Sequence, residues 1–267
     1  MIIQGTRQMI PALSRIWAAC FGDSPEYIRF FMEKRFPTCR CFVWVEEGEI
    51  VAGIYLLPCS LGSGPAFYSY AGGVLPQFRC KGIFEKLYFA VRDFSKKRGA
   101  ELTIVPAPGT ERYYLKRGYR PAFSFRQRTY EGVGAQRNLV LQDATAERYV
   151  LLRDQAFADL DYVQWSREAV EYALEENRFC GGFAKIIVGE QDNLIFGKKI
   201  GDTLIITETT LSPEMAERLA PELCRRWNTK RVSFRFPAAK GEEAVEIGGV
   251  WWRETSLKNG WIGLDLT

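Results

Sequence analysis

The sequence predicts an α+β fold, a mixed α/β arrangement in which a mixed sheet is flanked by helices, present twice in tandem. Helical and strand-like periodicities follow one another in a defined order through the first half of the 267 residues, and the second half repeats that order with almost no sequence identity. An apolar content of 47% is ample for buried cores. We place the domains at 1–132 and 138–267, on either side of a linker with two glycines and no periodicity.

The predicted elements of the first half begin with helices at 8–20 and 25–36. Strands at 41–47, 50–58 and 67–75, a helix at 83–98, a strand at 101–105, a short helix at 110–116 and a strand at 119–130 follow. In the second half, helices at 145–158 and 166–176 precede strands at 182–188, 194–200 and 203–209. The last predicted elements are a helix capped by Ser212, a strand at 231–236, a short helix near 242–247, a turn at 248–249 and a strand at 261–266.

One junction in the first half has the features of an anion-binding site. Pro76 ends an apolar strand because proline cannot extend a hydrogen-bonded ladder, and apolar residues at helical spacing start at Ile83. The loop between them lies at a helix N-terminus, where unpaired N–H groups and the helix dipole favour phosphate. Arg79 and Lys81 add two positive charges. A pyrophosphate would fit this loop.

The same residues resemble the acyl-coenzyme A loop of the GNAT superfamily of N-acetyltransferases. Arg79, Gly82 and Phe84 stand at the marked positions of the family pattern Arg/Gln-x-x-Gly-x-Gly/Ala, with Phe84 in place of a small residue. Downstream, residues 111–119 match the family's Phe-Tyr-x-x-x-Gly-Phe segment and put Tyr114 at its tyrosine. Two motifs in this order are far more specific than either one alone.

The resemblance implies that acetyl coenzyme A is the cosubstrate and that acetyl passes to an amine. It implies that the N–H of Val74 or Leu75 steadies the developing oxyanion and that Tyr114 protonates the departing thiolate. The implied cofactor-binding residues are Val74, Leu75, Arg79, Cys80, Lys81, Gly82, Ile83 and Phe84. Two such halves resemble the core of the enhanced-intracellular-survival acetyltransferases, without the lipid-carrier-like domain that follows it there.

The equivalent junction of the second half predicts no coenzyme A site. Pro213 removes an N–H donor from the loop, and Glu214 and Glu217 place negative charge where a phosphate would lie. The tyrosine is also missing, since Ala244 or Val245 stands at its position. We expect this half to be degenerate.

The chain contains no histidine, which excludes Ser-His-Asp and Cys-His catalytic sites and histidine metal sites. The strand at 68–73 offers no carboxylate as a general base. A water relay and the terminal carboxylate of Thr267 stay open as alternatives. Four further carboxylates are more typical of surface or capping charges: Asp23, Glu26, Glu46 and Glu47.

The composition of the chain argues against some classes of partner. The net charge of +4 comes from interspersed charges of both signs, so we expect no nucleic-acid partner. No segment approaches the ~20 apolar residues of a membrane span, and seven unpatterned cysteines are typical of reduced thiols. Taken with the family resemblance, which implies acetyl transfer to an amine, these features lead us to expect a cytoplasmic enzyme that binds no metal and acetylates a small-molecule amine. The alternative is a non-catalytic acyl-coenzyme-A-binding or scaffold protein, which Phe84 and the missing base favour.

Overall fold

The computed structural model describes residues 1–134, 138–238, 243–251, 257 and 260–264. These residues form two compact units. The first unit comprises 1–120 and 248–251, and the second comprises the remaining described residues, from 121 to 247 and from 257 to 264. The domain boundaries at 1–132 and 138–267 remain a prediction about where the two duplicated halves begin and end.

The helices and strands of the first half follow the predicted order. They are β1 (Ile2–Gln4), α1 (Ile10–Phe21), α2 (Pro25–Lys34), β2 (Arg40–Glu46), β3 (Glu49–Leu61), β4 (Gly64–Val74), α3 (Ile83–Lys96), β5 (Glu101–Ile104), α4 (Glu111–Leu115) and β6 (Tyr119–Glu131). Strands β1 to β4 pair antiparallel in chain order, and β5 runs parallel to β4. The short strand β1 was not predicted, since three residues are too few for a recognisable period.

Local chemistry explains where the helices begin. The Ser24 hydroxyl accepts a hydrogen bond from the Tyr27 N–H, and Pro25 occupies the first position of α2, where no N–H is needed. Helix α3 packs its apolar face on the sheet through Leu87, Tyr88 and Val91, all fully buried. Each such burial contributes roughly 1.5–3 kcal/mol, which fixes the start of α3 relative to β4.

Strand β4 carries a β-bulge. Gly53 pairs with Gly73 and Tyr55 with Tyr70, so one residue of β3 lies opposite two residues of β4, one of which is Ala71 with a positive φ of 44°. Parallel pairing between β4 and β5 ends at Ser69, whereas β4 continues to Val74. A bulge bends its strand and ends regular pairing. The two parallel strands therefore diverge at their carboxyl ends.

The second half follows the order of the first with two differences: the short strand β8 lies between its two helices, and its described residues form no helix between β12 and β13. Its elements are β7 (Val140–Asp143), α5 (Ala146–Ala156), β8 (Val163–Gln164), α6 (Arg167–Phe179), β9 (Gly182–Val188), β10 (Asn193–Ile200), β11 (Thr203–Thr209), α7 (Pro213–Trp227), β12 (Arg231–Pro237) and β13 (Val245–Trp251). Strand β11 pairs antiparallel with β10 and parallel with β12, and it carries a bulge at Thr207. The relation of β10, β11 and β12 is thus that of β3, β4 and β5.

Each unit completes its sheet with a strand that is distant in sequence. In the first unit, Gly249, Val250 and Trp251 pair antiparallel with β5. In the second unit, residues 125–131 of β6 pair antiparallel with β12. Neither pairing follows from the local sequence.

Two predictions near the C-terminus are wrong. The short helix predicted near 242–247 is absent from the described part, where 245–247 belong to β13, and the predicted turn at 248–249 lies inside the same strand. A Cβ on Gly249 would lie 2.0 Å from the Arg120 carbonyl oxygen, so this glycine permits close strand packing instead of a turn. Of the strand predicted at 261–266, Trp261 forms an isolated bridge with Tyr162, and 265–266 lie outside the described residues.

Among the residues that the structure describes, no helix has the length and apolar character needed to cross a bilayer.

Candidate active site

A cleft of about 560 Å³ opens in the first unit at the point where β4 diverges from β5. Its walls come from four places: the end of α1, the last residues of β4, the loop that leads into α3, and the segment around α4. The bulge in β4 is the backbone feature that makes this opening possible. The cleft is therefore a product of strand geometry before any side chain is considered.

Most of the predicted cofactor residues line this cleft, namely Val74, Arg79, Cys80, Gly82, Ile83 and Phe84. The other two predicted residues are not part of its lining. Leu75 is buried in the core of the unit, and the Lys81 Nζ lies 5.2 Å from the centroid of the Phe78 ring. The loop thus presents its backbone and Arg79 to the cleft, while Lys81 is exposed beside it.

The start of α3 presents backbone N–H groups to the cleft. Gly82 is the N-cap residue with a φ of 73°, and it brings no side chain to cover the first turn. Cys80 also has a positive φ, 61°, so the loop turns sharply before the helix. The first N–H groups of a helix have no intrahelical acceptor, and the dipole of this 14-residue helix adds positive potential there. These groups fit a phosphate.

The two candidate oxyanion donors differ in their hydrogen bonding. The Leu75 N–H donates to the Val51 carbonyl at 2.9 Å and is therefore engaged within the sheet. The Val74 carbonyl instead accepts from Arg79 Nε at 3.0 Å and from the Cys20 thiol at 3.3 Å. Since N–H and C=O of one strand residue point to the same edge, the Val74 N–H faces the diverging side of β4. Val74 is the better-placed donor.

Tyr114 lies on the short helix α4 and lines the cleft with 9% of its surface exposed. Its ring packs edge-on against Tyr88 and Tyr113, with centroid distances of 5.3 and 5.2 Å. Burial, followed by the nearby Tyr113, raises the pKa of the Tyr114 phenol well above its ordinary value. The phenol therefore stays protonated at neutral pH, which is the state that a proton donor requires.

Phe84 directs its ring at β4. A Cβ placed on Gly72 would lie 2.8 Å from Phe84 Cε2, so the ring rests against the bare backbone of that glycine. The ring also stacks on Tyr88 at 6.1 Å between centroids and is tilted against Tyr113 at 5.7 Å. The large residue that replaces the family's small one thus occupies the space between α3, α4 and the bulge.

The cleft contains residues that the sequence did not single out. Arg117 stacks its guanidinium 3.7 Å from the Tyr113 ring centroid and forms an ion pair with Glu85 at 2.9 Å. Cys20 and Phe21, from the end of α1, close the other side. Contacts of α1 with β4 are long-range, so the spacing of residues along the chain carried no signal for them. A pair of glycines within a strand-like run was a readable sign of close approach at 72–73.

The carboxylates considered as bases do not line the cleft. Asp23 accepts a hydrogen bond from Trp17 Nε1 at 2.7 Å, and Glu46 accepts one from Trp44 Nε1 at 2.6 Å. Backbone and Ser24 hydrogen bonds at the start of α2 lower the pKa of Glu26. Thr267 lies outside the described residues. Glu85 is the carboxylate of the cleft lining, and Arg117 neutralises it.

The corresponding junction of the second unit is closed by its own residues. Where β4 has two glycines beside the bulge, β11 has Glu208, whose fully buried carboxylate accepts hydrogen bonds from Arg153, Tyr149 and Trp261. Helix α7 begins with Pro213 and with the Ser212 hydroxyl bound to its first turn. The anion-binding features of the first unit are not repeated here.

A mixed sheet whose central parallel strands diverge beside a helix N-terminus, with a cleft between them, defines an acyltransferase of the GNAT class. The sequence agrees, since residues 2–122 match the family model described as acetyltransferase (GNAT) domain. This part of the chain is therefore a GNAT acetyltransferase domain, and the protein is an acyltransferase. No curated protein sequence matches the chain.

Solved structures share the fold across both halves. A probable N-acyltransferase from Enterococcus faecalis V583 superimposes with a TM-score of 0.75 at 11% identity, covering 94% of this chain and 72% of its own. Eis1 from Mycobacterium abscessus gives 0.64 at 12% identity, with 94% and 73% covered. A tandem GNAT protein from the clavulanic acid biosynthesis pathway gives 0.55 at 12% identity, with 94% and 96% covered. At sequence identities this low, the similarity to these structures is a similarity of fold.

Proposed function

We propose that the first unit transfers an acetyl group from acetyl coenzyme A to a primary amine of a small molecule in the cytoplasm. The observation that carries this proposal is the cleft between β4 and β5, which has the open N-terminus of α3 at one end and the bulge of β4 at the other. The pyrophosphate would lie on the N–H groups that follow Gly82, beside Arg79. The pantetheine arm would then extend along the diverging edge of β4.

The reaction follows from the groups around that edge. The amine nitrogen attacks the thioester carbonyl carbon, a C–N bond forms, and the Val74 N–H donates a hydrogen bond to the oxygen on which negative charge develops. The C–S bond then breaks, and the Tyr114 phenol gives its proton to the departing thiolate. The attacking amine loses its proton to water, because Glu85 is already paired with Arg117, and a proton from water returns Tyr114 to its neutral form.

The second unit is proposed to be a degenerate copy that binds no coenzyme A. Glu208 and Arg153 fill the position beside its bulge, and Glu214 brings negative charge to the start of α7. A hydrogen bond from the backbone of its own helix lowers the pKa of Glu214, so this carboxylate is ionised at neutral pH. The first turn of α3 also carries a carboxylate, Glu85, but that group is ion-paired with Arg117, and no proline removes an N–H donor there.

One observation favours a non-catalytic acyl-coenzyme-A-binding protein as a second candidate. Glu85, the carboxylate of the cleft lining, is held in an ion pair with Arg117. A protein that binds acyl coenzyme A without turnover needs the N-terminus of α3 but neither a base nor Tyr114. Binding and turnover therefore have to be measured separately.

Calorimetric titration of the full chain with acetyl coenzyme A tests the binding site. In Gly82→Asp, a carboxylate would stand at the proposed phosphate site, and we expect at least a ~10-fold weaker affinity, since one like charge near a phosphate costs about 1.4 kcal/mol or more. Gly201→Asp is the matched control, because Gly201 also has a positive φ and open space around it. Equal affinity of the two variants would refute the site.

Transfer of isotope-labelled acetyl to a panel of aminoglycosides, polyamines and amino acids separates the two candidates. Labelled product that depends on both the amine and the protein supports the enzyme. Tight binding without product on any amine supports the non-catalytic protein.

A further inference from the structure

The side chain of Arg117 is fixed beside the start of α3. Its Nε donates to a Glu85 carboxylate oxygen at 2.9 Å, one terminal nitrogen lies 2.9 Å from the same oxygen, and the other donates to the Tyr113 carbonyl at 2.9 Å. The guanidinium also stacks 3.7 Å from the centroid of the Tyr113 ring. Glu85 belongs to the first turn of α3, directly after the N-cap Gly82 and Ile83 and Phe84. Arg117 therefore lies at the end of the cleft where the first N–H groups of α3 are.

The guanidinium of Arg117 keeps hydrogen-bond donors for a ligand. A guanidinium has five N–H groups, and the contacts with Glu85 and Tyr113 engage at most three of them. At least two are left without a partner among the residues that the structure describes. Arg117 lines the cleft, and 20% of its side-chain surface is exposed. A planar fork of two N–H groups matches two oxygens of a phosphate.

Two arginines approach this helix end from different elements. Arg79 comes from the end of β4, where its Nε donates to the Val74 carbonyl, and Arg117 comes from the turn after α4. Of the described residues that line the cleft, these two are the cations and Glu85 is the anion, so the lining is net positive. The positive end of the α3 dipole adds to that potential. The surroundings of Arg117 thus favour an anion.

We propose that Arg117 binds a phosphate group of the donor through the N–H groups that Glu85 and Tyr113 leave unused; this step rests on the proposed function. Glu85 is then a positioning residue, because its carboxylate holds the guanidinium in place. The structural alternative is that Arg117 merely neutralises Glu85, which would otherwise repel a phosphate. The two roles differ in what happens when Glu85 carries no charge.

Calorimetric titration of full-length variants with acetyl coenzyme A separates the two roles. In Glu85→Gln, no carboxylate is left for Arg117 to neutralise. Adding Arg117→Gln to that background is expected to weaken binding by about 10-fold or more, the usual effect of losing a hydrogen bond to a charged group. Equal affinity of Glu85→Gln and the double variant would overturn the proposal, because Arg117 would then act on Glu85 alone.

Arg92→Gln is the matched control. Arg92 also stacks on a ring, 4.6 Å from the Phe89 centroid, and it also holds one carboxylate oxygen, that of Asp93, through two nitrogens. It is not part of the cleft lining, so this variant should keep the parent's affinity.

Thermal unfolding shows whether the double variant is folded, and Arg117→Lys in the Glu85→Gln background serves if it is not. Lysine keeps the charge and loses the planar fork, so it should bind the donor less tightly than Glu85→Gln alone. Equal affinity of these two variants would also overturn the proposal.

The donor carries phosphate in two places, the pyrophosphate and the 3′-phosphate of its ribose. A loss on Arg117→Gln that persists with 3′-dephospho coenzyme A assigns Arg117 to the pyrophosphate, and a loss that disappears assigns it to the 3′-phosphate; either result supports the proposal. Failure of the parent to bind acetyl coenzyme A would overturn the proposed function and this inference together. A parent that binds, with a double variant that binds as well as Glu85→Gln, overturns the inference alone.

Discussion

Tyr114 shows how its surroundings prepare one side chain for a chemical role. Three neighbouring tyrosine rings, those of Tyr88, Tyr113 and Tyr119, exclude water from it, and burial raises the pKa of its phenol. The phenol therefore stays protonated across the neutral range, as its proposed role of proton donor requires. The motif predicted which tyrosine this is, whereas its protonation state is a consequence of the packing.

For Tyr114→Phe, we expect turnover to fall about 100-fold or more, because the thiolate then leaves without a proton donor. The dissociation constant of acetyl coenzyme A should stay near that of the parent, since the ring and its packing are kept. Steady-state kinetics with any amine that accepts label, together with calorimetry, measure the two effects. Turnover equal to the parent's would refute the acid role, and loss of binding would show that the hydroxyl holds the donor.

Glu208 is a second residue whose role depends on its surroundings. Its carboxylate accepts from Arg153 at 2.9 Å, Tyr149 at 2.7 Å and Trp261 at 3.1 Å, with both ionised groups fully buried. Removing one partner of a buried pair leaves the other charge uncompensated. This pair could not be predicted from the sequence, because Arg153 and Glu208 are far apart along the chain.

Glu208→Gln should lower the free energy of unfolding by about 3 kcal/mol, the typical cost of breaking a buried ion pair. Urea denaturation followed by tryptophan fluorescence measures it. Glu171→Gln is the control, since the Arg167–Glu171 pair is exposed and an exposed pair contributes about 0.5 kcal/mol or less. If the two variants lost similar amounts of unfolding free energy, burial would not be what makes the Arg153–Glu208 pair important.

At the scale of elements, α3 and α4 meet through tyrosine side chains. Burial raises the pKa of both the Tyr88 and the Tyr114 phenols, and the Tyr88 hydroxyl has no hydrogen-bond partner within the part of the chain that the structure describes. Both phenols are therefore neutral in the folded state at a pH where free tyrosine ionises. The contact between the two helices depends on that neutrality.

Stability should accordingly fall above about pH 10, the ordinary tyrosine value. There the unfolded chain releases phenolic protons that the folded chain retains, so the unfolded state binds fewer protons and the free energy of unfolding decreases as pH rises. Below that pH, these phenols do not make the free energy of unfolding depend on pH. Urea denaturation from pH 8 to 11 measures the slope for the parent and for Tyr88→Phe. The variant should show a shallower decline, and an identical decline would contradict the role of Tyr88.

Some helices and strands could be predicted from the local sequence, and others could not. Long helices and strands were predictable because their apolar spacing and their caps are local, as in α2 with Ser24 and Pro25. Strands β1 and β7 were missed, since they are too short to show a period. Strand β13 was mistaken for a helix and a turn, because Gly249 serves close approach to Arg120, a contact that exists in the folded molecule alone.

For the molecule as a whole, the two units do not coincide with contiguous stretches of chain. Trp251 lies in the first unit, with 4% of its surface exposed, and its ring packs on Tyr88 at 4.6 Å and on Phe89 at 6.3 Å. Its strand covers the edge of β5, which would otherwise present unpaired backbone groups. The acetyltransferase unit thus needs residues that lie far beyond its matched segment.

We expect Trp251→Ala to destabilise the first unit by about 3–5 kcal/mol, the usual cost of removing a buried tryptophan. A fragment of residues 1–132 should be less stable still, because it lacks the whole strand. Thermal unfolding in the presence and absence of acetyl coenzyme A measures both. A fragment that folds and binds the donor as the full chain does would refute the dependence on 249–251.

The sequence by itself determined the class of fold, the duplicated order of elements and the loop with its downstream tyrosine. These follow from local signals: apolar period, caps and a short motif around Arg79, Gly82 and Tyr114. The tertiary structure decided which N–H of β4 is available, where the Phe84 ring lies, and which distant strand completes each sheet. Those outcomes depend on contacts between residues far apart in the chain, and such contacts leave no periodic trace in the sequence.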